Sequence, residues 1–168
     1  AVEEIRNRDL ELLFQCDVLV ANFDGQELDS GTVAEFMYAK FLDIPAVLLR
    51  TDFRSCSDQQ AGGEPWNLMC SGYPRTHSLI LHGMTLYHEC FNREGSLEEK
   101  MVMYHDRIAR KLIAELEAVI AEPPWLGRDI AVDHYRRAVQ SAGNGLERLL
   151  TGEVLAALVA GKISRGML

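Results

Sequence analysis

The sequence predicts an α/β protein in which helices cover both faces of a parallel sheet. Two short runs carry this prediction, because residues 18–20 (VLV) and 45–49 (PAVLL) have the continuous apolar character of strands buried on both faces. Helical patterns stand before, between and after these runs, an alternation that is typical of a parallel sheet. At 168 residues, of which 48% are hydrophobic, the chain is long enough for one such domain.

The helices around the two strands follow from local patterns. Residues 1–16 predict an amphipathic helix with Ile5, Leu12 and Leu13 on its apolar side. A second helix is expected over residues 31–43. Ser30 or Asp29 would cap it, because a short side-chain oxygen accepts a hydrogen bond from the free N–H groups of a first turn.

The second half of the chain predicts one more strand and then helices alone. Residues 76–83 (THSLILHG) read as a strand, and a long helix follows Ser96, with Glu99 completing a capping box. The segment EPPWLG ends that helix, because proline lacks the N–H that a helix interior needs. Two further helices are expected over residues 128–141 and 145–162. We therefore divide the chain into an α/β domain, residues 1–122, and a helical C-terminal extension, residues 123–168, packed on the domain or on another subunit.

Charge and composition exclude several classes of partner. The net charge is −8 and no Lys/Arg cluster interrupts it, which argues against nucleic acids and anionic membranes. The chain has neither an apolar run of about 18 residues nor a signal-peptide pattern. Its four cysteines form no C-x-x-C pair, which favours a reduced, cytoplasmic setting. The five histidines have no metal-ligand spacing, so we expect neither a metal nor a cofactor.

Acidic side chains are concentrated where a ligand would bind. Ligands of open α/β sheets bind at the carboxyl ends of the strands, and the loop after the first strand carries Asp24, Glu27 and Asp29 and leads directly to Glu35. The loop after the second strand carries Asp52 and Arg54, with Arg54 and Ser30 as the nearby candidates for a phosphate. We expect the carboxylates of the first loop to converge.

Several carboxylates without a metal motif favour cleavage of a glycosidic bond, in which one carboxylate attacks the anomeric carbon and an acid protonates the leaving group. A position in the first two turns of a helix would favour the ionised form of Glu35. Simpler interpretations remain open from the residues alone. Glu35 and Asp9 could be solvated helix residues, Asp29 a plain cap and Asp24 a turn residue.

Taken together, the motifs resemble the nucleoside 2-deoxyribosyltransferase family. The family has an acidic residue before an apolar strand, a loop like A-N/D-L-D-G, the motif D-S-G-T-x-x-E-x-G-Y-A and a strand like K-P-V-x-x-x-x-D-x-R. The corresponding run here is CDVLVANFDGQELDSGTVAEFMYAKFLDIPAVLLRTDFR, and PWNLMC, residues 65–70, resembles the family's later N-L-M loop. The resemblance extends over residues 9–69 and implies a Rossmann- or flavodoxin-like sandwich, here with a C-terminal helical extension.

The resemblance implies a role for each matching residue. Glu35 corresponds to a nucleophile that forms a covalent 2-deoxyribosyl intermediate, Asp29 to an acid that holds the sugar hydroxyls, and Asp9 to an acid that shuttles a proton to the nucleobase. Asn67 and Met69 correspond to residues that reach into a neighbouring subunit's site. The motifs further imply substrate binding by the loop and helix-start residues Asp24, Gly25, Ser30 and Gly31.

The implied activity is base exchange on 2-deoxynucleosides. Free nucleobases would be co-substrates, and the protein would be a homo-oligomer with shared active sites. Two departures accompany the resemblance: Met37 stands where the family usually has glycine, and the strand and Gly-rich turn that open family members have no counterpart here, so we expect that an N-terminal strand is missing from the chain. The alternatives are a nucleoside or nucleotide N-glycoside hydrolase of the same fold and a non-catalytic nucleoside-binding protein.

Overall fold

Three parallel strands form the sheet at the centre of the protein. The computed structural model describes residues 2–52 and 65–168. Within them the strands are β1 (Leu19–Asn22), β2 (Ala46–Arg50) and β3 (Thr76–Ile80), hydrogen-bonded in the order β1-β2-β3. The helices are α1 (Val2–Gln15), α2 (Ser30–Phe41), α3 (Gly83–Phe91), α4 (Leu97–Ile120), α5 (Ala131–Ala142), α6 (Leu146–Leu149) and α7 (Gly152–Ser164). The predicted α/β class is therefore confirmed, and the arrangement is flavodoxin-like.

The register of the sheet brings the carboxyl ends of all three strands to one edge. Asn22 of β1 lies opposite Leu49 of β2, and Arg50 of β2 lies opposite Ile80 of β3. The loops that follow β1 and β2 consequently leave the sheet side by side. This edge is where an open parallel sheet offers room for a ligand.

The two faces of the sheet have separate cores. Against one face α2 and the segment after residue 65 bury an aromatic-rich cluster, which consists of Ala21, Phe23, Phe36, Ala46, Leu48, Trp66 and Cys70. Against the other face α4 packs Val119 on Val47, Leu79 and Leu81. Neighbouring residues of β2 thus point into different cores, because successive side chains of a strand point to opposite faces.

The C-terminal helices pack on the α/β part through a third core. This cluster joins α1 and the end of α2 to α5, α6 and α7. Phe14 and Tyr135 meet edge to face with 5.7 Å between ring centroids, and the Tyr135 hydroxyl donates to the Leu42 carbonyl at 2.8 Å. Lys162 of α7 donates to the carbonyl of Cys16 at the end of α1. The sequence left open whether the C-terminal extension packs on its own domain or on another subunit. In the structure it packs on its own domain.

The inward side of α1 differs from the prediction. Ile5 is 68% exposed and Leu12 is 48% exposed. The buried residues of this helix are Asn7, Leu10, Leu13 and Phe14. The polar Asn7 faces inward because its side-chain amide donates to the Asn144 carbonyl at 2.8 Å, a partner from the far end of the chain.

Two further helix predictions need correction. The segment 145–162 is not one helix, because Thr151 interrupts it and caps α7 by accepting a hydrogen bond from the backbone N–H of Val154. Helix α3 was not expected at all; it begins at Gly83, directly after β3. Gly83 is needed there, since an added Cβ would lie 2.6 Å from the Thr51 carbonyl oxygen.

The long helix α4 begins as predicted. The Glu99 backbone N–H donates to the Ser96 hydroxyl at 3.2 Å, and the Ser96 backbone N–H donates to the Glu99 carboxylate at 2.7 Å. This reciprocal pair is the expected capping box. None of the helices within the described residues has the length and apolar character that crossing a membrane requires.

Candidate active site

The structure brings Glu35 and Asp9 to one pocket. The pocket has a volume of about 380 Å³ and lies between α1 and α2. Asp9 comes from α1, whereas Gly31, Glu35 and Tyr38 come from α2. A volume of this size is in the range of small-molecule sites. Two carboxylates that are remote in sequence therefore border the same space.

Helix α2 presents Glu35 to solvent while it anchors the next residue in the core. Phe36 is fully buried, with its ring edge to face with Phe23 at 5.9 Å and with Tyr73 at 5.7 Å between centroids. Ala39, one turn on, is also fully buried. The buried side of the helix thus sets the direction in which the exposed Glu35 points. At the end of the helix the apolar Phe41 is 61% exposed.

Asp29 forms the N-cap of α2. Its carboxylate oxygen Oδ2 accepts hydrogen bonds from the Thr32 backbone N–H at 2.8 Å and from the Thr32 hydroxyl at 3.0 Å. These hydrogen bonds lower the pKa of Asp29 below its ordinary value, so this carboxylate is ionised at neutral pH. The same contacts define the first turn of the helix that carries Glu35.

Helix α1 is held in place by the C-terminal helices. Leu10 directly follows Asp9, Leu13 lies one helical turn further on, and both are buried in the third core. Asn7 is fastened to the loop between α5 and α6 through the Asn144 carbonyl. The C-terminal extension therefore determines where the exposed Asp9 lies relative to α2.

Asp24 holds two strand-end loops together. Its Oδ1 accepts from the backbone N–H groups of Thr51 at 2.6 Å and Asp52 at 2.9 Å, and its Oδ2 accepts from the Thr51 hydroxyl at 2.8 Å. Gly25 continues the connection, with its N–H donating to the Asp52 carboxylate at 3.1 Å. Its φ of +106° is a conformation that other residues rarely adopt.

A second pocket, of about 580 Å³, contains other predicted site residues. Ser30, Asn67 and Met69 line it together with Glu27 and the buried Trp66. The Asn67 side chain accepts a hydrogen bond from the Met69 backbone N–H at 2.9 Å and so caps a short 3₁₀ turn. The side chain of Met69 is 72% exposed.

The expected convergence of the acids of the first loop is therefore wrong. Asp24 turns toward residues 51–52, Glu27 lines the larger pocket and Asp29 caps α2, while Glu35 meets Asp9 from a different helix. The remaining candidate of the second loop, Arg54, lies outside the described residues, as does Cys56.

Two polar side chains of the smaller pocket, Arg6 and Tyr38, were not predicted from the sequence. Arg6 precedes Asp9 by one helical turn and Tyr38 follows Glu35 by one turn, and both line the pocket. Residues three apart on a helix are neighbours on its surface, so this spacing was the signal that could have found them. Within residues 2–52 and 65–168, no group of three His, Cys, Asp or Glu side chains is arranged to hold a metal ion.

Comparison with known proteins gives one match, and it covers this site. Residues 1–69 match the family model of the nucleoside 2-deoxyribosyltransferases. No curated protein and no solved structure matches the chain. The match contains both helices of the smaller pocket, and it confirms the resemblance read from the motifs. It supports a function like that of nucleoside 2-deoxyribosyltransferases at the level of the family.

Proposed function

We propose that the protein is a nucleoside 2-deoxyribosyltransferase that exchanges the base of a 2-deoxynucleoside through a covalent intermediate on Glu35. The observation that carries the proposal is the shared pocket of Glu35 and Asp9. These are the two residues for which the family resemblance implies nucleophilic attack and proton transfer, and residues 1–69 match the family model.

The reaction has two displacements. The Glu35 carboxylate attacks the anomeric carbon, the bond from this carbon to the base nitrogen breaks with its electron pair moving to the base, and Asp9 gives the base a proton. A second base then attacks the same carbon, Glu35 departs as a carboxylate and Asp9 takes the proton of the incoming base. Two inversions result in net retention at the anomeric carbon.

Asp29 supports this chemistry from the start of α2. Its Oδ2 accepts two hydrogen bonds from Thr32, and the Gly31 backbone N–H donates a further one to this carboxylate. An ionised acceptor at that position suits a sugar hydroxyl. Gly31 of the same turn lines the pocket of Glu35 and completes the sugar side of the proposed site, whereas the adjacent Ser30 lines the larger pocket. Asp24 and Gly25 contribute by setting the position of the neighbouring loop.

Base exchange is the decisive measurement. The full chain is incubated with a 2-deoxynucleoside, with and without a second free base, and products are separated by chromatography. We expect a new nucleoside whose amount depends on the second base. Free 2-deoxyribose as the sole sugar product would instead establish the hydrolase, a second candidate that is favoured by the solvent exposure of Glu35. No change in either mixture would contradict both activities.

The proposal includes a homo-oligomer with shared sites. It is supported by the position of Asn67 and Met69, which are exposed and line a different pocket from Glu35 of their own chain. Both side chains are thus accessible to a neighbouring copy. In that arrangement each site would combine Glu35 of one subunit with Asn67 of the next.

Mixing two inactive variants tests the sharing of sites. The Glu35→Gln and Asn67→Ala proteins are mixed, unfolded and refolded together. If the protein is a dimer, half of the refolded dimers contain one chain of each variant, and each of these has one of its two sites intact. We therefore expect about a quarter of the wild-type rate. The control is a mixture of Glu35→Gln and Asp9→Asn, whose altered residues border the same pocket of one chain. This control should recover nothing. Failure of the first mixture to recover activity would contradict shared sites without affecting the role of Glu35.

A further inference from the structure

The pocket that contains Glu35 has two walls of different chemistry. The α2 wall carries Glu35 and Tyr38, and the α1 wall carries the pair Arg6 and Asp9. A displacement at the anomeric carbon is in line, with the nucleophile on one face and the leaving base on the other. When Glu35 attacks from α2, the base therefore faces α1. Arg6 and Asp9 are then the polar groups that the base meets.

Arg6 is held in a defined position. Its Nη2 donates to the Asn7 side-chain oxygen at 2.6 Å and to the Gly143 carbonyl at 3.2 Å, and its Nε donates to the same Asn7 oxygen at 3.2 Å. In the part of the chain that the structure describes, Nη1 donates no hydrogen bond. A guanidinium group has five N–H donors and no acceptor, so Nη1 offers donors only.

From this pair we infer that the base taken by the site is a 6-oxopurine, such as hypoxanthine or guanine. This inference rests on the proposed function. A 6-oxopurine presents two adjacent acceptors, N7 and O6, whereas adenine presents the acceptor N7 beside an N6 amino donor. Nη1 of Arg6 donates to O6, and Asp9, one helical turn away, delivers its proton to N7 as the bond to the sugar breaks. The amino group of adenine would instead face a fixed donor, and pyrimidines lack N7.

The apolar surroundings fit a flat base. Val2 and Ile5 line the same pocket, although they are 80% and 68% exposed. A purine ring seated between them and Tyr38 would cover these side chains. The site thereby combines apolar surfaces for the faces of the ring with one fixed donor and one acid for its edge.

Replacing Arg6 tests the inference. We compare kcat/KM for 2-deoxyinosine and 2-deoxyadenosine in the wild type, in Arg6→Met and in Arg6→Lys, which keeps the charge but loses the planar fork. The wild type should prefer 2-deoxyinosine by about 10- to 100-fold, and both variants should lose most of this preference. The matched control is Arg8→Met on the same helix, where Arg8 is exposed and pairs with Glu11 at 2.8 Å; its preference should equal that of the wild type.

Binding of free bases provides a second readout that needs no turnover. In calorimetric titrations hypoxanthine should bind the wild type at least about tenfold more tightly than adenine, and Arg6→Met should remove the difference while Arg8→Met keeps it. Equal binding of both bases by the wild type would overturn the inference, whether or not exchange occurs. The inference would also be overturned if Arg6→Met lowered kcat/KM only for 2-deoxynucleoside 5-monophosphates, because Arg6 would then face the sugar. Absence of exchange together with selective hypoxanthine binding would contradict the proposed function alone.

Discussion

The Glu35→Gln variant is expected to exchange bases at least about a thousandfold more slowly than the wild type, because an amide cannot form the covalent sugar intermediate. The substitution keeps the size of the side chain. Glu35 is exposed and its neighbour Phe36 anchors α2, so the fold should be unaffected. Initial rates with a saturating 2-deoxynucleoside and a second base measure the effect, and circular dichroism checks the fold.

The matched control is Glu117→Gln, an exposed glutamate on the α4 helix, remote from the α1–α2 pocket. It should retain the wild-type rate. Intact-mass measurement adds a direct test, since the wild type mixed with a 2-deoxynucleoside alone should carry one added deoxyribosyl group that the Glu35→Gln variant does not carry. Wild-type activity in Glu35→Gln would refute the assignment of the nucleophile.

The largest loss of stability is expected from Asp43→Asn. Asp43 and Arg75 form a buried ion pair, with Nη1 of Arg75 donating to the Asp43 carboxylate at 3.1 Å and to its carbonyl at 2.8 Å. The Leu126 backbone N–H also donates to the Asp43 carboxylate, at 2.9 Å. Removing the negative charge leaves the guanidinium buried without compensation, which costs about 3–5 kcal/mol in comparable pairs. Asn also tolerates the positive φ of +56° at this position, so the loss reports on charge.

Urea titration followed by circular dichroism measures this loss. The control is Asp133→Asn, because Asp133 pairs with Arg136 at 2.8 Å and Arg137 at 3.1 Å on an exposed helix surface. Exposed pairs of this kind contribute less than about 1 kcal/mol. Equal losses of unfolding free energy in the two variants would show that the buried Asp43–Arg75 pair contributes no more than an exposed pair. Since this pair joins the α2–β2 turn to the start of β3 and to Leu126, its loss should loosen the sheet and the C-terminal extension together.

Local sequence patterns were sufficient to predict the structure wherever the partner of a residue is close in sequence. The apolar runs before Asn22 and Arg50 became strands because a strand buried on both faces needs no polar alternation. The capping box of Ser96 and Glu99 and the cap of Asp29 formed as expected, since each joins residues three apart. The D-S-G-T-x-x-E spacing likewise led to the family that residues 1–69 match.

Local patterns failed wherever the partner comes from a distant segment. Asn7 is buried because the Asn144 carbonyl accepts its hydrogen bond, and the sequence pattern around residue 7 does not indicate that partner. The acids of the first loop were expected together because they are adjacent in sequence. Asp24 instead turns to Thr51, since parallel register brings the ends of β1 and β2 side by side.

The sequence by itself determined the parallel α/β class, the helix that carries Glu35 and the family resemblance, because apolar periodicity, capping and motif spacing are properties of neighbouring residues. Only the tertiary structure decided that Glu35 and Asp9 border one pocket, that Arg6 joins them and that the C-terminal helices hold α1 in place. The physical reason is that the position of α1 depends on a core assembled from both ends of the chain. Burial of Phe14 against Tyr135 and the anchoring of Asn7 by Asn144 select that position.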